Sequence, residues 1–283
     1  MGRQRILVTN DDGIDSVGLH VLARAMSELG EVIVVAPDQE YSGSGASIGA
    51  LHVMTPEAHR TSIAGVDIAW AITGPPGLCV MLARLGAFGA LPDLIVSGIN
   101  PGANVGRSVY HSGTIGAVLT GRNGGIPGLA VSQSVPELGV EGQAWEETLA
   151  GQRWDTAATV ARAAARAMLA DPPPDAGVLN LNVPNLPLAE IDGWCWAEVG
   201  QVPPRAMARA ALEPKLGHEG TYHIRLTWGD EQAQPDGTDT AVILADRVAV
   251  SWLSRITAVT PNTPIVDAAL NRLLATQVTP AQA

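Results

Sequence analysis

Ile6-Leu7-Val8-Thr9-Asn10-Asp11-Asp12-Gly13 is a short apolar run that ends in two adjacent carboxylates and a glycine. Its first three residues predict a buried strand of a parallel sheet, and Gly13 permits a sharp turn into the next element. Ligands of α/β proteins bind just beyond the carboxyl ends of such strands. The stretch therefore predicts an α/β fold with a binding site at Asp11 and Asp12.

The Asp pair suits a hard divalent cation. Mg²⁺ and Mn²⁺ prefer oxygen ligands, and two adjacent negative charges repel each other unless something cationic lies between them. The alternative is structural: Asp11 or Asp12 caps the helix that begins near Ser16, and Gly13 serves only the turn.

Composition limits the class of protein. The chain has 283 residues, of which 46% are hydrophobic, enough for one α/β domain with a smaller extension. No apolar run is long enough to span a bilayer, and the N-terminus lacks the pattern of a signal peptide. We therefore expect a cytoplasmic protein with no membrane partner. Cys79 and Cys195 have no zinc-type spacing and are expected to be small buried hydrophobic residues.

The charge balance excludes one class of partner. The net charge is −11, from 17 basic and 28 acidic residues, and Lys215 is the only lysine. A nucleic-acid duplex would need a basic face, so it is not an expected partner. A phosphate-bearing substrate would need a local positive field from a metal ion, helix N-termini and backbone amides.

Strands and helices alternate along the first two thirds of the chain. Apolar runs predict strands at residues 6–8, 32–36, 68–72, 94–96, 129–131 and 178–183. Helical spacing of apolar or small residues predicts helices at residues 19–29, 78–85, 113–119 and 156–169. This βαβ order predicts a doubly wound, mostly parallel sheet.

The character of the chain changes after Pro184. Four tryptophans follow, and residues 222–228, 241–244 and 248–252 resemble strands, while apolar spacing predicts a last helix. We therefore expect an α/β domain over residues 1–185, a β-rich extension or arm over 186–262 and a C-terminal helix over 263–278 that packs back on the main domain. Exposed strands with aromatics favour an arm that contacts another subunit, and an intramolecular cap on the sheet is the alternative.

Three glycine-rich loops follow strands or precede a helix in this pattern. They cover residues 37–45, 97–106 and 111–114. Glycines let backbone N–H groups approach an anion closely, and the helix that opens near Thr114 adds its dipole. A topological switch point would gather these loops around the Asp pair.

Several motifs occur in a fixed order along the chain: Val8-Thr9-Asn10-Asp11-Asp12-Gly13-Ile14, Ala36-Pro37-Asp38 with Ser42, Ser97-Gly98-Ile99-Asn100, Gly102 with Asn104 and Gly106, and Ser112-Gly113-Thr114. In this combination the chain resembles the SurE family, the stationary-phase survival proteins, which are metal-dependent nucleoside monophosphate phosphatases. Residues 179–184 and Thr238-Asp239 add weaker support. The resemblance implies a Rossmann-like, SurE-like fold, a small phosphomonoester substrate, and a homodimer or homotetramer formed through the C-terminal arm.

The resemblance also implies roles for individual residues. One divalent metal ion, Mg or Mn, would be held by hard oxygen ligands: Asp11, Asp12, Ser42 and Asn100. The phosphoryl oxygens would be cradled by side-chain and backbone donors: Asn10, Asn104, Ser112, Gly113 and Thr114. Considered singly, Ser42 also fits a turn hydroxyl and Asn100 an Asx turn.

The resemblance implies hydrolysis of a 5′- or 3′-nucleotide to nucleoside and phosphate. Metal-activated water is preferred as nucleophile over Asp11 or Asp12, because aspartyl phosphatases space their two Asp residues two apart and this pair is adjacent. His111 either acts as an acid or orients the phosphate, or it is a surface residue.

Some residues depart from the family pattern. Ala46 stands where a His is frequent, Pro101 where an Arg is common, Leu78 where an Asp is expected, and Thr120 begins a Thr-Gly-Arg run in place of Glu-Gly-Ala. A phosphate- or nucleotide-binding SurE-like protein with weak or different phosphatase specificity is therefore the alternative function. A dinucleotide-dependent oxidoreductase is disfavoured, because no Gly-x-Gly-x-x-Gly follows the first strand.

Overall fold

The opening apolar run forms the central strand of the protein. In the computed structural model, which describes residues 4–135, 149–254, 256 and 264–275, this strand is β1 (Arg5–Thr9). Ile6 and Val8 are buried on one face of the sheet and Leu7 on the other, because successive side chains of a strand point to opposite faces. Both faces of β1 are therefore covered, as the unbroken apolar run predicts.

The other strands with described bounds are β2 (Glu31–Pro37), β3 (Ala58–Ile63), β4 (Val66–Ile72), β5 (Leu94–Pro101), β6 (Gly128–Gln133), β7 (Val178–Val183), β8 (Trp194–Trp196), β9 (Arg205–Pro214), β10 (Tyr222–Glu231) and β11 (Val248–Leu253). The α-helices are α1 (Val17–Ser27), α2 (Pro76–Arg84), α3 (Gly113–Arg122), α4 (Trp154–Ala170), α5 (Asp239–Leu244) and α6 (Pro264–Ala275).

The main sheet has the strand order β3-β4-β2-β1-β5-β6-β7-β11-β8. Strands β4, β2, β1, β5, β6 and β7 are parallel to one another, whereas β3 pairs antiparallel with β4 and β11 antiparallel with β7. Helices α1 and α4 pack on one face, and α2 and α3 on the other. The predicted doubly wound, mostly parallel sheet is confirmed.

The chain reverses its direction of travel across the sheet next to β1. It runs outward from β1 through β2 to β4, then returns to place β5 on the opposite side of β1. The carboxyl ends of β1 and β5 therefore form the topological switch point. Asp11 and Asp12 follow the first of these ends, and Asn100 lies at the second, just before the loop that begins at Gly102.

The chain after residue 185 is divided between two sheets. Strands β8 and β11 extend the main sheet, while β9 and β10 form a two-stranded antiparallel sheet of their own. Among the described residues after 185, the β9–β10 hairpin is the part with strands outside the main sheet, and the boundaries of the β-rich region at 186–262 stay a prediction. The strand predicted at residues 241–244 is wrong: these residues belong to α5, because the Thr238 hydroxyl accepts a hydrogen bond from the Ala241 N–H and starts a helix there.

The chain divides into two units after Leu253. The second unit contains α6, which confirms the helix indicated by the apolar spacing near the C-terminus; its packing on the main domain stays a prediction. In the described part of the chain, no helix is long and apolar enough to cross a membrane.

Candidate functional site

Asp11 is held by the start of α3. Its side chain is 3% exposed, and its Oδ1 accepts a hydrogen bond from the Thr114 hydroxyl at 2.5 Å. Burial raises the pKa of Asp11, while the hydrogen bond from Thr114 and the backbone N–H groups of Thr114 and Gly113 act in the opposite direction. Helix α3 therefore fixes one orientation of this carboxylate.

Gly113 permits this close approach because it has no side chain. A Cβ atom on Gly113 would lie 2.7 Å from both Cβ and Oδ2 of Asp11, and 2.9 Å from the Ser44 hydroxyl oxygen. Real Cβ atoms essentially never approach other atoms this closely. The residue at 113 must therefore be glycine for the Asp11 carboxylate and the helix N-terminus to meet.

Asp12 lies beside Asp11 with one oxygen unpaired. Its residue is partly exposed, but Oδ2 is buried and has no hydrogen-bond partner. Burial, followed by repulsion from Asp11 and Glu40, holds the pKa of Asp12 well above its usual range. A cation between the two carboxylates would lower the pKa of Asp12 again, because an opposite charge favours the ionised form.

The metal-free protein is therefore expected to lose stability as the pH rises. A carboxyl whose pKa is higher in the folded state than in the unfolded state binds its proton more tightly when folded, so stability falls as pH climbs from about 4 through that raised pKa. Asp12→Asn removes this loss and should stabilise the metal-free protein at pH 7.5 by about 1–3 kcal/mol, with a smaller gain at pH 4.5. Urea unfolding at both pH values measures it.

Added Mn²⁺ supplies the control for that experiment. It should stabilise the native chain at pH 7.5 more than the Asp12→Asn variant, because a ligand that binds only the folded state raises its stability in proportion to how tightly it binds. An Asp12→Asn variant that is less stable than the native chain at pH 7.5 would contradict the interpretation.

Backbone hydrogen bonds bring the loop after β2 to the Asp pair. The Ile14 N–H donates to the Pro37 carbonyl at 2.8 Å, the Tyr41 N–H to the Asp11 carbonyl at 2.7 Å, and the Gly45 N–H to the His111 carbonyl at 2.9 Å. These bonds join the end of β1, the loop after β2 and the segment before α3 around Asp11.

Two serines of this loop differ in their surroundings. Ser42 is exposed in the turn that follows Tyr41, next to the backbone that contacts Asp11. Ser44 has a buried hydroxyl without a hydrogen-bond partner, and it faces Gly113. Sequence reasoning missed Ser44, although its place two residues after the predicted ligand Ser42 was the available signal.

Asn10 also has an unused oxygen in the site. Its side chain is fully buried and donates from Nδ2 to the Gly13 carbonyl at 3.0 Å, while Oδ1 has no hydrogen-bond partner. The Asn10 amide also favours the ionised form of Asp12. Asn10 therefore lies against the Asp pair.

The end of β5 and the loop after it hold the two predicted asparagines differently. Asn100 is partly exposed, and its Nδ2 donates to the Gly102 carbonyl at 2.6 Å; this bond is not the Asx turn of the alternative role, in which the side-chain oxygen would accept from an N–H group. Asn104 is buried, and its Nδ2 donates to the Ser132 hydroxyl at 2.8 Å. Its backbone is bound by the side chains of Asn180 and Asn182. The side-chain amide nitrogen of Asn104 therefore already has a hydrogen-bond partner within the protein.

Ser112 and His111 precede α3 and have separate environments. Ser112 is the buried N-cap of α3, and its Oγ accepts from the Ile115 N–H at 3.1 Å. His111 is exposed.

Helix α1, which follows the Asp pair in the chain, has Ser16 at its N-cap. The alternative in which Asp11 or Asp12 caps this helix is therefore not supported.

Asp239 ties the far end of the β5 loop to α5. This carboxylate is fully buried; Oδ2 accepts from the Gly106 N–H at 2.9 Å, and Oδ1 from the N–H groups of Gly200 at 3.0 Å and Thr240 at 2.8 Å. The sequence indicated this residue only through the Thr238-Asp239 pair. Its contacts show a positioning role for the loop between Asn100 and Gly106.

The oxygens at the site fit a hard divalent cation. No group of three or more His, Cys, Asp or Glu side chains among the described residues is arranged to hold a metal ion, so a metal here would need hydroxyl and amide oxygens beside the Asp pair. Buried oxygens without partners supply such donors: Asn10 Oδ1, Asp12 Oδ2 and Ser44 Oγ. Mg²⁺ and Mn²⁺ accept a ligand set of this kind.

Comparisons with known proteins agree with this arrangement. Residues 6–205 match the family described as Survival protein SurE. The 5′-nucleotidase SurE of Nitrosococcus oceani is 34% identical over 251 residues, which cover 87% of this chain and 90% of the relative. The 5′/3′-nucleotidase SurE of Erwinia tasmaniensis is 38% identical over 249 residues, covering 88% and 89%. The crystal structure of the SurE protein from Aquifex aeolicus matches with a TM-score of 0.71 and 28% identity, covering 95% of this chain and 99% of that one.

Proposed function

This chain belongs to the SurE family, and we propose that it is a metal-dependent phosphoric monoester hydrolase that converts nucleoside 5′- or 3′-monophosphates to nucleoside and phosphate. The observation that supports this most is the buried Asp11-Asp12 pair at the switch point of the sheet, with Thr114 and Gly113 holding Asp11. The names of the relatives give the substrate class.

We assign the metal to Asp11, Asp12, Ser42 and Asn100, with the buried Ser44 hydroxyl as a further oxygen beside Asp11. When bound, such an ion offsets negative charge on the phosphoryl group and makes water a stronger nucleophile at neutral pH. The ion would be Mg²⁺ or Mn²⁺, since every candidate donor is a hard oxygen.

The start of α3 is proposed to bind the phosphoryl oxygens. The run Ser112-Gly113-Thr114 opens a helix of ten residues, whose first N–H groups and dipole favour an anion. The Thr114 hydroxyl is already donated to Asp11, so we assign its contribution to the backbone N–H. Asn10 and Asn104 complete the proposed cradle, Asn10 through the second N–H of its side-chain amide and Asn104 through the loop it anchors.

We assign the nucleophile to water. Asp11 is bound by Thr114 through Oδ1 and packs against Gly113 near Oδ2, so it is not free to attack phosphorus in line with a leaving oxygen. The exposed His111 can orient the phosphate or donate a proton to the leaving oxygen. Trapping of a phosphoenzyme on Asp11 or Asp12 would overturn this assignment.

A phosphate-release assay over a panel of monoesters tests the proposed function. The panel contains 5′-AMP, 3′-AMP, 5′-GMP, 5′-UMP, β-glycerophosphate and p-nitrophenyl phosphate, each with Mg²⁺, Mn²⁺ or chelator. We expect metal-dependent release with nucleotides preferred over β-glycerophosphate. Binding of AMP without release under any metal condition would instead favour a nucleotide-binding protein.

The β9–β10 hairpin is proposed as the contact of a homodimer or homotetramer. One face of the hairpin exposes apolar side chains, with Ile224 paired opposite Leu212 and 70% and 65% exposed. The other face carries an ion pair between Arg225 and Glu213 at 2.7 Å. An exposed apolar face of this kind is typical of a subunit contact.

Removal of the hairpin is expected to lower the number of subunits in the oligomer. The Gln232 N–H donates to the Pro204 carbonyl at 2.9 Å, so an Asn-Gly turn can replace residues 205–231 without disturbing the buried Asp239. Light scattering after size exclusion should show a smaller assembly, as it should for Leu212→Asp with Ile224→Lys. Arg225→Ala, on the opposite face, is the control. An unchanged mass in both the hairpin deletion and the Leu212→Asp, Ile224→Lys double variant would contradict the assignment.

A cytoplasmic location and the absence of a nucleic-acid duplex as partner stay predictions from the sequence, the second because of the net charge of −11.

A further inference from the structure

A cavity of about 270 Å³ opens directly beside Asp12. This volume lies just below the range of about 300–1,000 Å³ that is usual for small-molecule pockets. Its walls come from the turn after β1, the start of α1, the loops after β2 and β5, and the start of α4; the lining residues are Asp12, Asp15, Ser16, Val17, Glu40, Pro101, Leu149 and Trp154. None of the assigned phosphate-cradle residues is among these lining residues, so the cavity is distinct from the proposed cradle.

Trp154 forms a fixed aromatic wall of this cavity. It is half-buried and packs against the main core. A Cβ atom on Gly18 would lie 3.0 Å from Trp154 Cζ3 and 2.4 Å from the Ile99 carbonyl oxygen, so the absence of a side chain at Gly18 lets the indole ring lie against α1. An aromatic ring that is held in this way loses little freedom when a flat ligand stacks on it.

The other described lining residues include apolar and acidic side chains. Val17, which is 59% exposed, and Leu149 add apolar surface to that of Trp154. Asp12, Asp15 and Glu40 are the ionisable residues, and no basic residue is among the described residues of the lining. The cavity therefore suits a flat, uncharged group with hydrogen-bond donors, and it repels a second anion.

We propose that this cavity receives the nucleoside part of the substrate, with the base against Trp154 and the hydroxyl and amino donors toward Asp15 and Glu40. The inference rests on the proposed nucleotidase activity and adds which part of the chain recognises the leaving group. Asp12 belongs to both the metal site and the cavity, so a phosphoryl group at the Asp pair places the ester oxygen and nucleoside at the cavity mouth.

The acidic lining gives the cavity a second property. A leaving group that carries its own phosphate, such as the AMP released from ADP, brings negative charge next to Asp15 and Glu40, and the described part of the lining offers no basic residue to offset it. The cavity therefore selects monophosphates over diphosphates.

The first test compares a substrate with a base and one without. For the native chain, kcat/KM for 5′-AMP should exceed that for ribose 5-phosphate by about tenfold or more, the scale of one base stacked on an aromatic ring. Trp154→Leu should remove most of this ratio by raising KM for 5′-AMP, and Trp154→Phe should keep most of it. Trp70→Leu removes another half-buried tryptophan, one that stacks on Phe88, and should leave the ratio unchanged.

A second variant covers the case in which Trp154→Leu fails to fold. Val17 is exposed on the rim, so Val17→Trp should fold and fill the cavity, and it should lower the same ratio. If both folded variants keep the native ratio, or if the native chain does not distinguish the two substrates, the proposal is overturned.

Adenosine binding to the metal-free protein separates this proposal from the nucleotidase activity. Calorimetry should detect binding of adenosine to the native chain and a loss of about tenfold or more in Trp154→Leu. Absence of any phosphatase activity would refute the proposed function, while this titration would still decide the cavity. Equal binding by the two proteins would refute the cavity.

A separate experiment tests the acidic lining. Asp15→Asn combined with Glu40→Gln should raise kcat/KM for ADP relative to 5′-AMP by about fivefold or more, since each substitution removes one negative charge near the leaving group. An unchanged ratio would refute the charge selection.

Discussion

Asp12→Asn and Asp11→Asn are each expected to lower kcat/KM for 5′-AMP by about 10³-fold or more. Each substitution removes one of two adjacent carboxylates at the switch point, and with it half of the negative charge that would hold a divalent cation. Asparagine has nearly the same shape as aspartate, so the loss reports charge and ligand strength more than packing. Steady-state phosphate release at several Mg²⁺ concentrations measures it.

The two variants should differ in stability. Asp11 accepts the hydrogen bond from Thr114, so Asp11→Asn weakens the junction of β1 with α3. Asp12 has no such partner at Oδ2, and its replacement should stabilise the metal-free protein. The control is Asp67→Asn, the same chemical change at an exposed position of β4. Phosphate release by Asp12→Asn within tenfold of the native rate would contradict the assignment of the metal to this pair.

Gly113→Ala is expected to lower kcat for 5′-AMP by about 10²-fold, because the added methyl group displaces Asp11. The new Cβ would lie 2.7 Å from Asp11 Cβ and Oδ2, and a shift of about 1 Å in a reacting group costs on that order. Overpacking should also lower the free energy of unfolding by about 1–3 kcal/mol. Activity and urea unfolding, measured on the same preparation, separate the two effects.

Gly121→Ala is the matched control for that substitution. Gly121 lies in the same helix, and its Cβ would lie 2.1 Å from Ile95 Cδ1 in the core under the sheet. We expect a comparable loss of stability and activity within about threefold of the native chain when scaled to folded protein. Equal loss of activity in the two variants would show that Gly113 acts only through stability.

The main sheet could be predicted from the sequence because its strands are buried on both faces. Each such strand is an unbroken apolar run between turn residues, as in Ile6-Leu7-Val8, and the intervening helices have their own period. The order of these elements then determined the switch point that brings Asp11 close to the loop after β5.

The region after residue 185 was harder to predict because its elements are short or carry exposed polar residues. Residues 241–244 form a four-residue apolar run that fits either a strand or a helix, and the N-cap at Thr238 decided for the helix. Strand β9 was missed because its run Arg205–Pro214 contains several alanines and charged residues, which are not typical of strands.

The site stays a prediction from the sequence, and the partners of its single side chains could not be predicted. The sequence assigned Thr114 and Asn104 to the phosphoryl oxygens. In the structure the Thr114 hydroxyl donates to Asp11, and the Asn104 side-chain amide donates to Ser132. Both contacts join residues distant in sequence, and only the folded chain determines such pairs. For the same reason the buried Ser44 hydroxyl was missed, and the anchoring role of Asp239 was not predicted.

Binding of Mn²⁺ to the native chain and to Asp12→Asn, followed by electron paramagnetic resonance or calorimetry, tests most directly whether the Asp pair holds the metal. We expect one Mn²⁺ per native chain, displaced by Mg²⁺, and at least a tenfold weaker site in Asp12→Asn, while Asp67→Asn binds as the native chain does. Equal Mn²⁺ affinity in the native chain and in Asp12→Asn would contradict a metal site at the end of the first strand.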